Sequence, residues 1–338
     1  MKTIRYARFI ILLTGIQLAS AQDFTKYVNP NLGVTHSRWF FYTPASMPFG
    51  MAKLGASTNG TYGNKQGWEA VGYQDNHRSI DGFPCFHEFQ IGGVSLIPVV
   101  GEIKTIPGKV ENPEEGFRSN FEKSTEFATA GYYTVVLKDY RTKVELTATN
   151  RVGFQRYTFP AAQDAHILFN IGNRQGESGE VKDAYIGNIN GNVIEGYVIT
   201  KPEYVKKYQQ EATVPMYFYA VLSKVPNSVS VFQEGETPRM GSQIHGKGAM
   251  MSANFAIEEN EQIEVKIGLS YTSIENARNN LQAEASKLSF DKARGNATKT
   301  WNEFLSRIEV TDESEVNKTK FYTGLWLHPA GQEQEAKV

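Results

Sequence analysis

The 338-residue chain has a single cysteine, Cys85, so no disulfide can form within it. A chain of this length can draw its stability from a large buried core instead. An excess of charge is also missing, with 35 Lys and Arg against 36 Asp and Glu. That balance gives no steering toward nucleic acid or acidic lipid and suits a neutral polyol better than a polyanion. No HExxH or HxxxH spacing offers a transition-metal site, and the glycine-rich run from Gly172 to Gly179 lacks the Lys-Ser/Thr of a phosphate loop. There is no internal repeat and no low-complexity block. The apolar run Phe9 to Leu18 is too short to span a bilayer, for which about 20 residues are needed.

That run reads as an address label. Lys2, Arg5 and Arg8 precede it, and Ala19, Ser20 and Ala21 form a small-residue cleavage site, so residues 1–21 are expected to be a signal peptide and the chain to be exported to the periplasm or outside the cell.

Seventeen Tyr, twenty Phe and thirty Gly favour strands and turns over a helical bundle. Short strands are expected at 96–100, 132–137, 143–149, 167–171, 192–200, 216–222, 229–232, 249–257 and 262–269. In 143–149, Val144, Leu146 and Ala148 alternate with Lys143, Glu145 and Thr147, the pattern of a half-buried antiparallel strand. Alternation continues through Val152 and Phe154, then slips by one to Tyr157 and Phe159, as a β-bulge would produce. So many strands at short spacing imply two packed antiparallel sheets over 22–271.

From Tyr271 the period becomes helical. Thr272 with Glu275 matches a capping box, Asp291 can cap a second helix and Ser314 a third that runs toward Trp326. Residues 272–326 are expected to be a helical connector leading away from the sheets, with Phe321, Tyr322 and Leu325 exposed and a disordered tail at 327–338.

The stretch from Trp68 to Pro98 mixes rings, carboxylates, imidazoles and glycines without a helical or strand period, the composition of a loop that builds a polar pocket with flat walls. Trp68 and Phe83 can stack on a sugar, while Glu69, Asp81, His87 and Glu88 can accept from or donate to its hydroxyls. Glu69, Asp75, Asp81 and Glu88 lie close in sequence, but spacing within a loop does not set the separation a glycosidase pair needs. His77, His87 and Glu88 form a weak metal set, and Cys85 reads as a small buried hydrophobe rather than a nucleophile. His36, Arg38 and Trp39 are a further pocket-wall candidate.

An ordered string of motifs resembles the amino-terminal domain of glycoside hydrolase family 92, exported bacterial α-mannosidases. It runs through Tyr27-Val28-Asn29-Pro30, Met47-Pro48-Phe49-Gly50-Met51, Trp68, Gly72-Tyr73, Ile80-Asp81-Gly82-Phe83, Gly93 to Pro98, Gly131 to Val135, Glu145 to Arg151, Trp301 and Phe321-Tyr322-Thr323. The resemblance implies a large galactose-mutarotase-like β-sandwich joined by helices to an (α/α)₆ barrel, with calcium-dependent inverting hydrolysis of mannose-containing glycans. It implies that the barrel supplies the catalytic acid and base, so none is expected in this chain, while the sandwich lends a tryptophan, matched by Trp68, to the sugar subsite. After Gly82-Phe83 the sequence departs from the pattern with Pro84-Cys85-Phe86-His87-Glu88, and it leaves it again after Trp326, where the barrel is expected to begin. Two other expectations stand beside this one: a self-sufficient carbohydrate-binding module, and a structural fragment whose exposed interdomain face binds a partner.

Overall fold

The structure, a computed structural model, describes residues 22–34, 42–58, 72–86, 92–172, 179–202 and 208–330. Among them the chain forms two small two-stranded sheets and two large antiparallel sheets packed face to face, as the alternating apolar strands require. The larger has nine strands, in the order Gln243–His245, Glu180–Asn190, Val193–Lys201, Val214–Leu222, Gln262–Ser270, Val152–Thr158, Thr142–Ala148, Tyr132–Leu137 and Phe127–Thr129. The smaller has six, in the order Arg239–Met240, Ser228–Phe232, Met250–Ile257, Ala162–Asn170, Ser95–Val100 and Phe83–Pro84. One apolar core fills the space between them, with Val144, Leu146, Tyr157 and Ile267 from the larger sheet against Ile97, Ile167, Phe169 and Phe255 from the smaller.

Three helices follow, α1 (Ile274–Ala285), α2 (Phe290–Leu305) and α3 (Glu315–Ala330). α1 and α2 fold back onto the larger sheet rather than leading away from it, and α3 packs on α2 and the N-terminal segment. Gly268 lets α1 approach, since a Cβ there would lie 2.8 Å from the Cβ of Leu281 and against the carbonyl of Ala277. The caps sit beside the expected residues: Ser273 accepts from Asn276 N–H at 3.0 Å and Ser289 from Lys292 N–H at 3.4 Å. Asp291 is not the cap because its carboxylate accepts from Arg156 at 3.0 Å. Ser314 does cap α3, accepting from Asn317 N–H at 3.4 Å.

The helical cover overturns two strand readings. Thr142–Ala148 is buried on both faces, because Glu145 and Thr147 lie beneath the helices with 2% and 0% exposure. The slip after Phe154 is not a bulge either, for Gly153 to Thr158 pair in unbroken register with both neighbouring strands. Val152 and Phe154 pack under α1 and α2 with Leu281 and Phe290, whereas Tyr157 and Phe159 enter the core between the sheets. A strand that is apolar on both faces mimics a change of register.

Nor is α3 bare. Tyr322 and Trp326 are 1% and 0% exposed, packed with Phe24, Tyr27, Val28, Trp301 and Leu305. Tyr27 stacks on Tyr322 at 5.4 Å, Trp301 Nε1 donates to Ser46 O at 2.6 Å and Phe49 N–H donates to Pro329 O at 3.0 Å. That last bond and the packing of Leu327 hold residues 327–330 in the helix, so the expected tail does not begin at 327. Residues 1–21, 173–178 and 331–338 lie outside the described residues, and with them the expected signal peptide, most of the glycine-rich run and the rest of the tail.

Candidate functional site

The segments 72–86 and 92–98 are the described parts of the expected pocket, and the first carries its candidate contacts. Its entry is fixed at Gly72, whose carbonyl accepts from Thr58 N–H at 2.6 Å. The Thr58 hydroxyl in turn accepts from Gln74 N–H at 2.9 Å and lies 3.0 Å from His77 Nδ1. Beneath them runs Arg118, 2% exposed, which donates from Nε to Ser79 Oγ at 2.9 Å and from its terminal nitrogens to the carbonyls of Thr58, Ser79 and Gly108. A buried guanidinium is tolerated only when its hydrogens find acceptors, so Arg118 ties this segment to the chain that crosses under it.

Beside this base lies a second network. Tyr73 stacks on Tyr42 with ring centroids 3.6 Å apart and planes 7° from parallel. Glu126, with its side chain 3% exposed, receives the Tyr133 hydroxyl at 2.8 Å and Lys123 Nζ at 2.8 Å, and the Tyr73 hydroxyl lies 2.8 Å from its Oε2. Burial first, and the Glu126 charge second, push the phenols of Tyr73 and Tyr133 up, so both stay neutral donors. Partial burial would raise Asp75, but hydrogen bonds from Lys123 at 2.9 Å and Asn31 at 3.0 Å outweigh it and hold the carboxyl below the usual range.

Of the expected sugar contacts, Asp81 is 8% exposed, with its N–H bonded to Ser57 O at 2.9 Å. Phe83 is not a pocket ring. It is fully buried in the short strand Phe83–Pro84, pairs with Leu96 and tilts against Tyr133 at 6.4 Å. Cys85 is buried as expected, with its thiol pushed up to about 12 by desolvation, which removes it as a nucleophile. Trp68, Glu69, His87 and Glu88 lie outside the described residues, as do His36, Arg38 and Trp39. Among the described residues, no group of three or more His, Cys, Asp or Glu side chains could hold a metal ion.

Lys123, Glu126, Tyr42, Tyr133, Thr58 and Arg118 are absent from the sequence-based candidates. They come from four separated stretches, and no local period announces that they meet. A cleft of about 610 Å³ lies elsewhere, at the helical junction, lined by Gln22, Phe24, residues 309–313 and Lys318.

The Glycosyl hydrolase family 92 N-terminal domain matches residues 27–270, and the family 92 catalytic domain matches residues 276–333. The chain belongs to glycosyl hydrolase family 92. A family GH92 α-mannosidase of Bacteroides thetaiotaomicron is similar to it over 90% of this chain and 41% of its own, at 28% identity and a TM-score of 0.81. The same enzyme in complex with mannoimidazole gives 28% identity over 90% of this chain and 40% of its own, again with a TM-score of 0.81. A family GH92 inverting mannosidase of the same organism shares the fold at 20% identity, with a TM-score of 0.72 over 90% of this chain and 39% of its own. The chain thus spans about two fifths of the length of these family 92 relatives. No curated protein matches it.

Proposed function

We propose that the chain forms the N-terminal β-sandwich of an exported α-mannosidase-like glycoside hydrolase and supplies one wall of its sugar subsite. The observation that carries this reading is the family 92 match over residues 27–270, joined to 28% identity with an α-mannosidase whose structure holds mannoimidazole. The bonded pair of Thr58 and Gly72, with Arg118 beneath it, fixes both ends of 59–71, the stretch that carries Trp68 and Glu69.

In this reading Trp68 stacks on the sugar, and Glu69, Asp81, His87 and Glu88 bond its hydroxyls. The acid and base of an inverting reaction come from helices of the catalytic domain, of which the match reaches only to residue 333. Calcium belongs to that completed enzyme. Sugar contact by the sandwich alone is then weak, since half of the subsite is contributed by another part of the protein.

Titration calorimetry with mannose and mannobiose tests the reading. Measurable binding at millimolar sugar, lost in Trp68→Ala, is the expected result. A titration with no heat of binding at that concentration removes the wall assignment.

A further inference from the structure

From the border of α1 to its outer edge, the larger sheet carries a row of aromatic rings. His245, Tyr185, Tyr197 and Tyr217 are direct cross-strand partners on four neighbouring strands. Ring centroids are 4.6 Å apart for Tyr185 and His245, and 5.9 Å apart for Tyr185 and Tyr197 and for Tyr197 and Tyr217. Their sequence neighbours Ala184, Ile186, Val198, Met216 and Phe218 point into the core between the sheets, so the four rings stand on the outer face. His245 is exposed and the three tyrosines are half-buried.

Cross-strand rings stabilise a sheet whatever else they do. Here the row carries features that stability alone does not require. The Tyr185 ring lies along its own strand over Gly187, where a Cβ would come within 3.0 Å of the ring's Cζ. The backbone at Gly187 is not in the left-handed region, so the missing side chain serves the ring, which it allows to lie down on the sheet. The second ring is oriented by a hydrogen bond from the Tyr197 hydroxyl to Asp183 Oδ2 at 2.8 Å. Charge follows the same logic. Lys182 and Lys247 are both engaged by Glu180, at 3.3 and 2.6 Å; Arg278 of α1 sits over Tyr219 at the far border, near Glu195, and Asp183 stands beside the rings through its bond to Tyr197.

A flat π face attracts the C–H bonds of a pyranose, and carboxylates at its border accept from hydroxyls. The same carboxylates repel a polyanion. We propose that the row His245–Tyr185–Tyr197–Tyr217 is a glycan-binding surface that takes a neutral polysaccharide laid across the strands. It draws on the family's membership among glycoside hydrolases and not on the wall at 72–86.

Affinity electrophoresis in native gels that contain soluble α-mannan, soluble β-glucan or polygalacturonate tests it. Retardation by a neutral polymer is expected, weakened at least tenfold in Tyr185→Ala and also weakened in the exposed-site variant His245→Ala, which keeps the test open if the first variant unfolds. Val316→Ala, an exposed change on α3 far from the row, should bind as the parent does. Four results would overturn the proposal: no retardation by either neutral polymer, retardation by polygalacturonate alone, unchanged retardation in both ring variants, or light scattering that shows the row joining two copies of the chain. Loss in Trp68→Ala with both ring variants unaffected would overturn it as well, and would place sugar binding at the other wall.

Discussion

The two halves of the nine-stranded sheet obey the same backbone rules and bury their outer faces differently. Under the helices, Val152–Thr158 and Thr142–Ala148 are covered on both sides, and the outer face holds a buried ion pair, Arg156 with Glu145 at 3.0 Å, itself roofed by Phe290 and Asp291. In the open half, Val193–Lys201 alternates strictly between half-buried and buried residues, and Val214–Leu222, which α1 borders, does so from Pro215 onward. Covering a face turns its polar residues from solvated into obligatory partners, and so raises the cost of losing any one of them.

Substitutions can break this contrast. Trp301→Ala removes one of the two buried tryptophans of the junction together with its bond to Ser46, and should cost about 3–5 kcal/mol in urea unfolding. Arg156→Met leaves the buried Glu145 carboxylate with only Tyr132 and Lys143 as partners and should cost about 3 kcal/mol, with much of the loss restored when Glu145→Gln is added. Gly268→Ala forces α1 off the sheet and should cost about 1–3 kcal/mol. In the open half, Tyr197→Phe loses only the bond to Asp183 and should cost about 1 kcal/mol or less. Equal costs for the ion-pair and tyrosine variants would mean that helical cover does not set the energetics.

A pH series sharpens the same comparison. Burial would raise Glu145, but hydrogen bonds from Arg156 and Tyr132 outweigh it and hold the carboxyl below the ordinary glutamate value of about 4.3. A native value depressed below the unfolded one adds stability that is complete above the unfolded value and lost as pH falls through the native one. Unfolding midpoints should therefore drop on acidification below about pH 4.3 and drop less steeply in Glu145→Gln. An identical acid limb in both proteins would assign the loss to other carboxylates.

Legibility followed wetting. Strands with one wet face were readable from alternation, and Tyr132–Leu137 falls on the expected residues. Glu180–Asn190 was missed because its pairing with Val193–Lys201 shifts register twice, which breaks the period of two. The motif string that resembles family 92 proved informative in an unexpected place. Tyr27 and Asn29 meet Tyr322 and Thr323, Phe49 meets Pro329 and Phe304, and Gly131 admits Ala297 and Trp301 of α2. Much of that string therefore builds the junction between sandwich and helices. Of the candidate sugar contacts, Asp81 and Phe83 could be placed, and Phe83 went to the core because a ring on a two-residue strand beside Leu96 has an apolar neighbourhood to join.

By itself the sequence determined the β-rich class, the change to helices after Tyr271 and the family, because these depend on local period and on the order of motifs along the chain. Tertiary structure alone decided which polar residues are buried, that the helices return to the sheet, and that Glu126 meets Tyr73, Tyr133 and Lys123. Those outcomes rest on contacts between distant segments, where burial and charge pairing are settled by which surfaces come together and not by any neighbour in sequence.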